Sequence, residues 1–282
     1  MSLYVNNNGQ LVSAEGYSIA AGNRAHLYGD GLFESIRVID GHPINLEQHL
    51  NRLFEGMKVL KMKKPDPFSI AFFEREIQTL LTRNEIEQGA RIRLSIDRAK
   101  GGTYLPTNNE VDYIIEAYPH QQNSFELNKS GKKIDLYPDI KKTVNFLSSF
   151  KTKNCLIYIM ARLKAEEIGM DDLLIMNEKS GIIEATSSNL FIVSNGVLYT
   201  PGLDSGCLGG TMRMQIINLA IREQIKVYEC NISPQHLLSA DEVFLTNAIH
   251  GILWVQSFRS KTYTHTVSSE MVNLLNQEWK TK

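Results

Sequence analysis

The chain has 282 residues, 43% of them hydrophobic and 22% charged, which suits a folded protein of two packed units and excludes a disordered or fibrous one. Lys and Arg number 30 against 31 Asp and Glu, a formal net charge of -1, so there is no basic surplus for nucleic acid and small molecules become the expected partners. The three cysteines, Cys155, Cys207 and Cys230, are too scattered for a disulfide framework or a CxxC pair, and no apolar run approaches the ~20 residues of a membrane span, so a reduced, cytoplasmic protein is expected.

Residues 3–5 and 11–12 flank a polar Asn-Asn-Gly turn and read as a hairpin, and residues 33–39 read as a longer strand ending at Asp40-Gly41. Leu46, Leu50, Leu53, Met57 and Leu60 then recur at helical spacing, predicting a helix of about four turns opened by a capping box of Asn45 and Gln48. A second helix over 67–82 and strands over 90–96 and 111–118 make residues 1–119 an α+β domain. Residues 120–132 are polar and nearly free of apolar side chains, as a connection on the surface would be.

The second domain, 133–282, opens with a strand over 134–137 and a helix over 154–168 closed by Gly169. Short strands over 173–177, 189–193 and 197–199 follow, separated by turn formers. A glycine-containing loop over 206–210 feeds an amphipathic helix over 211–223, and strands over 243–246 and 252–255 precede a terminal helix over 267–279.

There is no GxGxxG, P-loop, GxSxG or HExxH motif, and the seven histidines are scattered, so no metal site is expected. An anion site is expected where Gly209 and Gly210 lead into the helix at Thr211 and Met212, because backbone N–H groups and the helix dipole there both favour a dianion.

Six segments stand out: YGDGLFESIR (28–37), HLNRL (49–53), KTKN (151–154), IEATSSNLF (183–191), LGGTMR (208–213) and ADEVF (240–244). In this order and spacing the chain resembles the class IV, fold type IV, aminotransferases that depend on pyridoxal 5'-phosphate (PLP). That group includes branched-chain and D-amino acid aminotransferases and aminodeoxychorismate lyases. The resemblance implies a smaller N-terminal α/β sandwich, a larger C-terminal mixed α/β barrel-like domain, and a homodimer acting on an amino acid and a 2-oxo acid.

It further implies that Lys151 carries the cofactor covalently and moves a proton. Lys153 competes for that role, but the family's lysine is followed three positions later by Asn, here Asn154. Glu184, 33 residues after Lys151, would hold the pyridine nitrogen, with Arg52, Ser188, Asn189, Leu208, Gly210, Thr211, Met212, Asn247 and Ala248 as further cofactor contacts. Relatives often carry a hydroxyl where Asn247-Ala248 stand, so Thr246 is the expected substitute. Tyr28, Phe33, Ser35, Arg93 and Arg98 would form the substrate wall. Each has a plainer reading: solvated lysines, a turn-edge Glu184, a solvent-facing Arg52 and core aromatics at Tyr28 and Phe33. Glu34-Ser35 points to transamination, whereas Met212-Arg213 and Asn247-Ala248 lean toward the lyase; a non-catalytic relative would be expected to lack Lys151 or Glu184, and both are present.

Overall fold

The computed structural model describes residues 3–280 and contains two compact units, Met1–Asn123 with Phe150–Asn154, and Ser124–Ser149 with Cys155–Lys282. The first holds β1 (Tyr4–Asn7), β2 (Gln10–Ser13), α1 (Arg24–Tyr28), β3 (Gly31–Ile39), β4 (His42–Pro43), α2 (Leu46–Val59), α3 (Ile70–Arg83), β5 (Ala90–Arg98) and β6 (Val111–Pro119). Its sheet runs β2-β1-β6-β5-β3-β4 with every neighbour antiparallel.

Strand alternation gives this sheet two chemically different faces. Ile92, Leu94 and Ile96 of β5 and Leu32, Ile36 and Val38 of β3 join Leu50, Leu53 and Met57 of α2 and Phe73, Ile77 and Leu80 of α3 in one buried core. The intervening residues, including Phe33, Ser35, Arg93 and Asp97, lie on the opposite face. The predicted capping box does not form: Asn45 is left-handed, at φ 54°, and its side chain makes no cap bond. The second helix starts at Ile70 rather than 67 because Ser69 caps it, its hydroxyl accepting the Phe72 N–H at 3.2 Å.

Residues 150–154 pair with the start of β3. Phe33 N–H donates to the Lys151 carbonyl and Lys153 N–H to the Gly31 carbonyl, both at 3.0 Å, with Leu32 opposite Thr152. The Lys151 segment, read from sequence with the second half, thus packs as an added edge of the first unit.

The second unit contains β7 (Lys132–Leu136), α4 (Leu156–Glu167), β8 (Asp172–Met176), β9 (Ile182–Ala185), β10 (Asn189–Ser194), β11 (Val197–Pro201), α5 (Thr211–Arg222), β12 (Val227–Cys230), α6 (Pro234–Ser239), β13 (Glu242–Asn247), β14 (Gly251–Phe258), β15 (Lys261–Thr262) and α7 (Thr266–Lys280). Its mixed sheet follows β12-β11-β10-β13-β14-β7-β8-β9, with β15 on β14. β9 and β10 are separated by four strands along this path, yet residues 186–188 alone connect them, and so short a link spans at most ~14 Å. The sheet must therefore curl back on itself. Ile182 N–H donates to the Ile232 carbonyl at 2.8 Å across the gap, which gives the barrel-like form.

The stretch read as a surface connection is anchored from Ser124 onward. Phe125 is buried, with its backbone N–H and carbonyl both bonded to the Asn276 side chain, and Asn128 bonds the backbone and indole of Trp254. Among the described residues no helix is long and apolar enough to cross a membrane, and no acidic, Cys or His group could hold a metal ion.

Candidate active site

In the first unit the candidate residues divide by sheet face. Ser35 lies opposite Arg93, Phe33 precedes it on the same face, and the Arg93 guanidinium and the Lys151 ammonium stand 4.1 and 4.4 Å from the Phe33 ring centroid. Arg93 is also ion-paired with Glu116 of β6 at 3.8 Å, so the two cations on this ring stand beside an acid. Tyr28, at the exposed end of α1, meets Tyr104 with ring centroids 5.8 Å apart. Arg98 shares the parity of Ile92, Leu94 and Ile96 and sits on the core side. Its guanidinium binds Asp30 at 2.8 Å, and Asn109 and the Leu60 carbonyl at 2.6 Å, so it pins loops together.

Glu34 also occupies the core face, 1% exposed between Leu32 and Ile36. A carboxylate there must be paired. His49 Nδ1 lies 2.6 Å from Oε2, and Arg52 donates from Nε to Oε1 at 2.8 Å and from Nη2 to Oε2. Burial alone would raise the pKa of Glu34, but Arg52 and His49 outweigh it and hold it at about 2, while burial lowers that of His49. α2 therefore delivers Arg52 already oriented by a buried acid.

Arg52→Ala is expected to destabilise the protein by about 3–5 kcal/mol, because Glu34 is left buried beside His49 alone. Urea unfolding measures this, and an unchanged midpoint would remove Glu34 from the account. In the wild type this pair stabilises fully above the ordinary pKa of 4.5, and its contribution is lost as pH falls through about 2.

The two candidate lysines have different surroundings. Lys153 forms an ion pair with Asp97, a carboxylate 2% exposed that also accepts from Asn23 at 3.0 Å. Gly31 makes room for it, since a Cβ there would lie 3.0 Å from Lys153 Cδ.

In the second unit Glu184 lies on β9, 4% exposed. Its Oε1 accepts from Lys142 Nζ at 2.7 Å and from the Tyr158 hydroxyl at 2.9 Å, and its Oε2 accepts from the Leu208 N–H at 2.9 Å. Burial, reinforced by Glu184, pushes the Tyr158 hydroxyl far above its ordinary range. Neither Lys142 nor Tyr158 carries a signal in the sequence. Lys142 stands in a Lys-Lys pair and Tyr158 in an apolar helix, so neither belongs to a motif.

Leu208 leads to α5, whose N-cap, Gly210, makes no side-chain cap bond and whose first turn holds no acidic residue. Thr211 and Met212 are buried at this end. A Cβ on Gly210 would strike the Asn189 amide, which itself donates to the Thr246 carbonyl at 2.8 Å and hydroxyl at 2.9 Å. Thr246 is thus engaged by Asn189. Asn247 donates to Ser188 Oγ at 3.0 Å and caps the following turn by accepting from Ile249 and His250 N–H, with Ala248 half-buried beside it. Arg213 is buried against the Pro201 carbonyl and Glu229.

The family model for class IV amino-transferases matches residues 31–258. The chain belongs to that family. It is 27% identical to a putative branched-chain-amino-acid aminotransferase of Methanocaldococcus jannaschii, covering 99% of this chain and 96% of the relative. It is also 27% identical to an aminodeoxychorismate lyase of Bacillus subtilis, covering 87% and 83%. The branched-chain amino acid aminotransferase structure from Escherichia coli superposes with a TM-score of 0.86 at 26% identity, covering 96% of this chain and 92% of that one.

Proposed function

We propose that this enzyme is a PLP-dependent transaminase that moves an amino group between an amino acid, of branched-chain or D-amino acid type, and a 2-oxo acid. The observation that carries this reading over the lyase is Glu34, which stands where the family's lyases tend to have threonine and is buried in bonds to both Arg52 and His49. Arg213 and Asn247, which lean toward the lyase in sequence, are engaged in packing and turn formation and do not distinguish the two reactions.

The residues present fit PLP. The α5 entrance has a glycine lead and no first-turn acid, both of which suit a phosphate dianion. Glu184 supplies a fixed buried acceptor for a ring N–H. When bound, PLP supplies an electron sink for the charge left at the substrate Cα after its proton departs. Lys151 would hold the cofactor and move that proton at Nζ, a choice supported by the engagement of Lys153 with Asp97. Arg52, Ser188, Asn189, Leu208, Gly210, Thr211, Met212, Asn247 and Ala248 would line the cofactor, and Arg93, Phe33, Ser35 and Tyr28 would receive the substrate carboxylate.

The deciding experiment incubates the PLP-loaded enzyme with L- and D-amino acids and with aminodeoxychorismate while following cofactor absorbance. Conversion to the pyridoxamine form with an amino acid is expected. Release of 4-aminobenzoate and pyruvate without it would overturn the reading in favour of the lyase.

The enzyme is further proposed to be a homodimer. Leu156, Ile159, Met160 and Leu163 of α4, at i, i+3, i+4 and i+7, are 74%, 50%, 46% and 56% exposed in the single chain. Such an apolar stripe on a soluble helix suits a second copy of the chain. An interface above ~2,000 Å² is expected. Sedimentation at nanomolar concentration tests it, and a fully active species of 31.9 kDa would refute it.

A further inference from the structure

Lys142 holds a half-buried position that the reaction as described does not use. Its backbone is fixed to the end of β8, with its N–H donating to the Met176 carbonyl at 2.9 Å and its carbonyl accepting from Glu178 N–H at 3.2 Å. Its side chain, 15% exposed, reaches Glu184 Oε1 at 2.7 Å and the Ser148 carbonyl at 3.2 Å. Gly209 N–H, at the α5 entrance, donates to the neighbouring Ser149 carbonyl at 3.0 Å. One ammonium therefore ties the candidate ring-facing carboxylate to the backbone at Ser148.

A carboxylate offers about four acceptor positions. Among the described residues Lys142 and Tyr158 take the two on Oε1 and Leu208 takes one on Oε2, so the remaining direction lies on Oε2. We propose that Lys142 is a positioning residue for the reaction, serving as the counter-charge that holds Glu184 with this one acceptor directed to a ring N–H donor. Tyr158 and Leu208 supply geometry without charge. A buried carboxylate served by neutral donors alone is pushed toward its protonated form, and a protonated carboxyl cannot hold a proton on the ring nitrogen.

The proposal rests on the assignment of Glu184 to the pyridine nitrogen, and the variants separate the two. The other titratable groups beside Glu184 are Tyr158, far above its ordinary range, and Cys207, which burial pushes up to about 11, so neither changes charge near neutral pH. The experiment compares holoenzyme carrying Lys142→Gln, Lys142→Arg or Glu184→Gln, reading the absorbance of bound PLP across pH, the PLP dissociation constant, kcat and KM, and apo-protein melting.

Lys142→Gln is expected to lower kcat by about ten- to a hundredfold with KM for the amino acid little changed. The acid limb of its absorbance and rate profiles is expected to move to higher pH by about one unit or more. Lys142→Arg restores both profiles because it retains the charge. Wild-type profiles in Lys142→Gln, with those of Glu184→Gln altered, would overturn the role of Lys142 and leave Glu184 in place. Wild-type profiles in all three would overturn both assignments. Equal losses in the Gln and Arg variants, with lowered melting and no movement of the acid limb, would reduce Lys142 to a packing residue and overturn the proposal.

Discussion

Lys151→Ala is expected to abolish the absorbance band of lysine-bound PLP and to reduce turnover by at least ~10²–10⁴-fold, the usual worth of a positioned proton-transfer group. The loss follows from the two duties proposed for this one amine, attachment of the cofactor and movement of the Cα proton. Lys153→Ala is expected to keep the band and most of the turnover, because its ammonium is engaged by Asp97. Its cost falls on stability, since Asp97 is left buried with Asn23. Spectra of the two purified variants decide the matter, and loss of the band in Lys153→Ala alone would reverse the assignment.

Glu184→Gln is expected to leave PLP bound while slowing the Cα proton step by ~10²–10³-fold, the scale seen when one preorganised electrostatic partner is removed. The amide can still meet Leu208 or Tyr158, so the fold around β9 is retained. What it lacks is the negative charge that keeps a ring nitrogen protonated. A deuterium isotope effect at the substrate Cα that rises with the loss of rate marks proton removal as the slowed step, and a near-normal rate would sink the assignment.

The regular elements were legible in the sequence because periodicity reports them directly. The α2 leucines and the alternating apolar residues of β5 gave both elements and their buried faces. The same alternation carries information about sites. Ile92, Leu94 and Ile96 face the core, so Arg98 shares their side and Arg93 does not, a distinction that residue parity alone makes. Other features had no local signal. The strand that carries Glu184 is one of these, because β9 is only four residues long and is stabilised by β8 and by the bridge to Ile232. Asn45 offered a cap by type but adopts a left-handed backbone, which asparagine tolerates. Phe125 and Asn128 are held by Asn276 and Trp254, more than a hundred positions away in sequence. Lys142 belongs with these, because its partner lies 42 residues downstream.

The pairing of residues 150–154 with β3 bears on how the chain can be dissected. A fragment ending at Asn123 would contain all six strands of the first sheet, yet the Gly31 and Phe33 backbone groups would lose their bonds to Lys153 and Lys151. An unsatisfied strand edge beside Leu32 and Phe33 is a template for pairing with other copies, and such edges drive aggregation. The first compact unit is therefore not a continuous stretch of the sequence. A designed version would have to graft the five residues from 150 to 154 onto the end of the first, joined by a new linker.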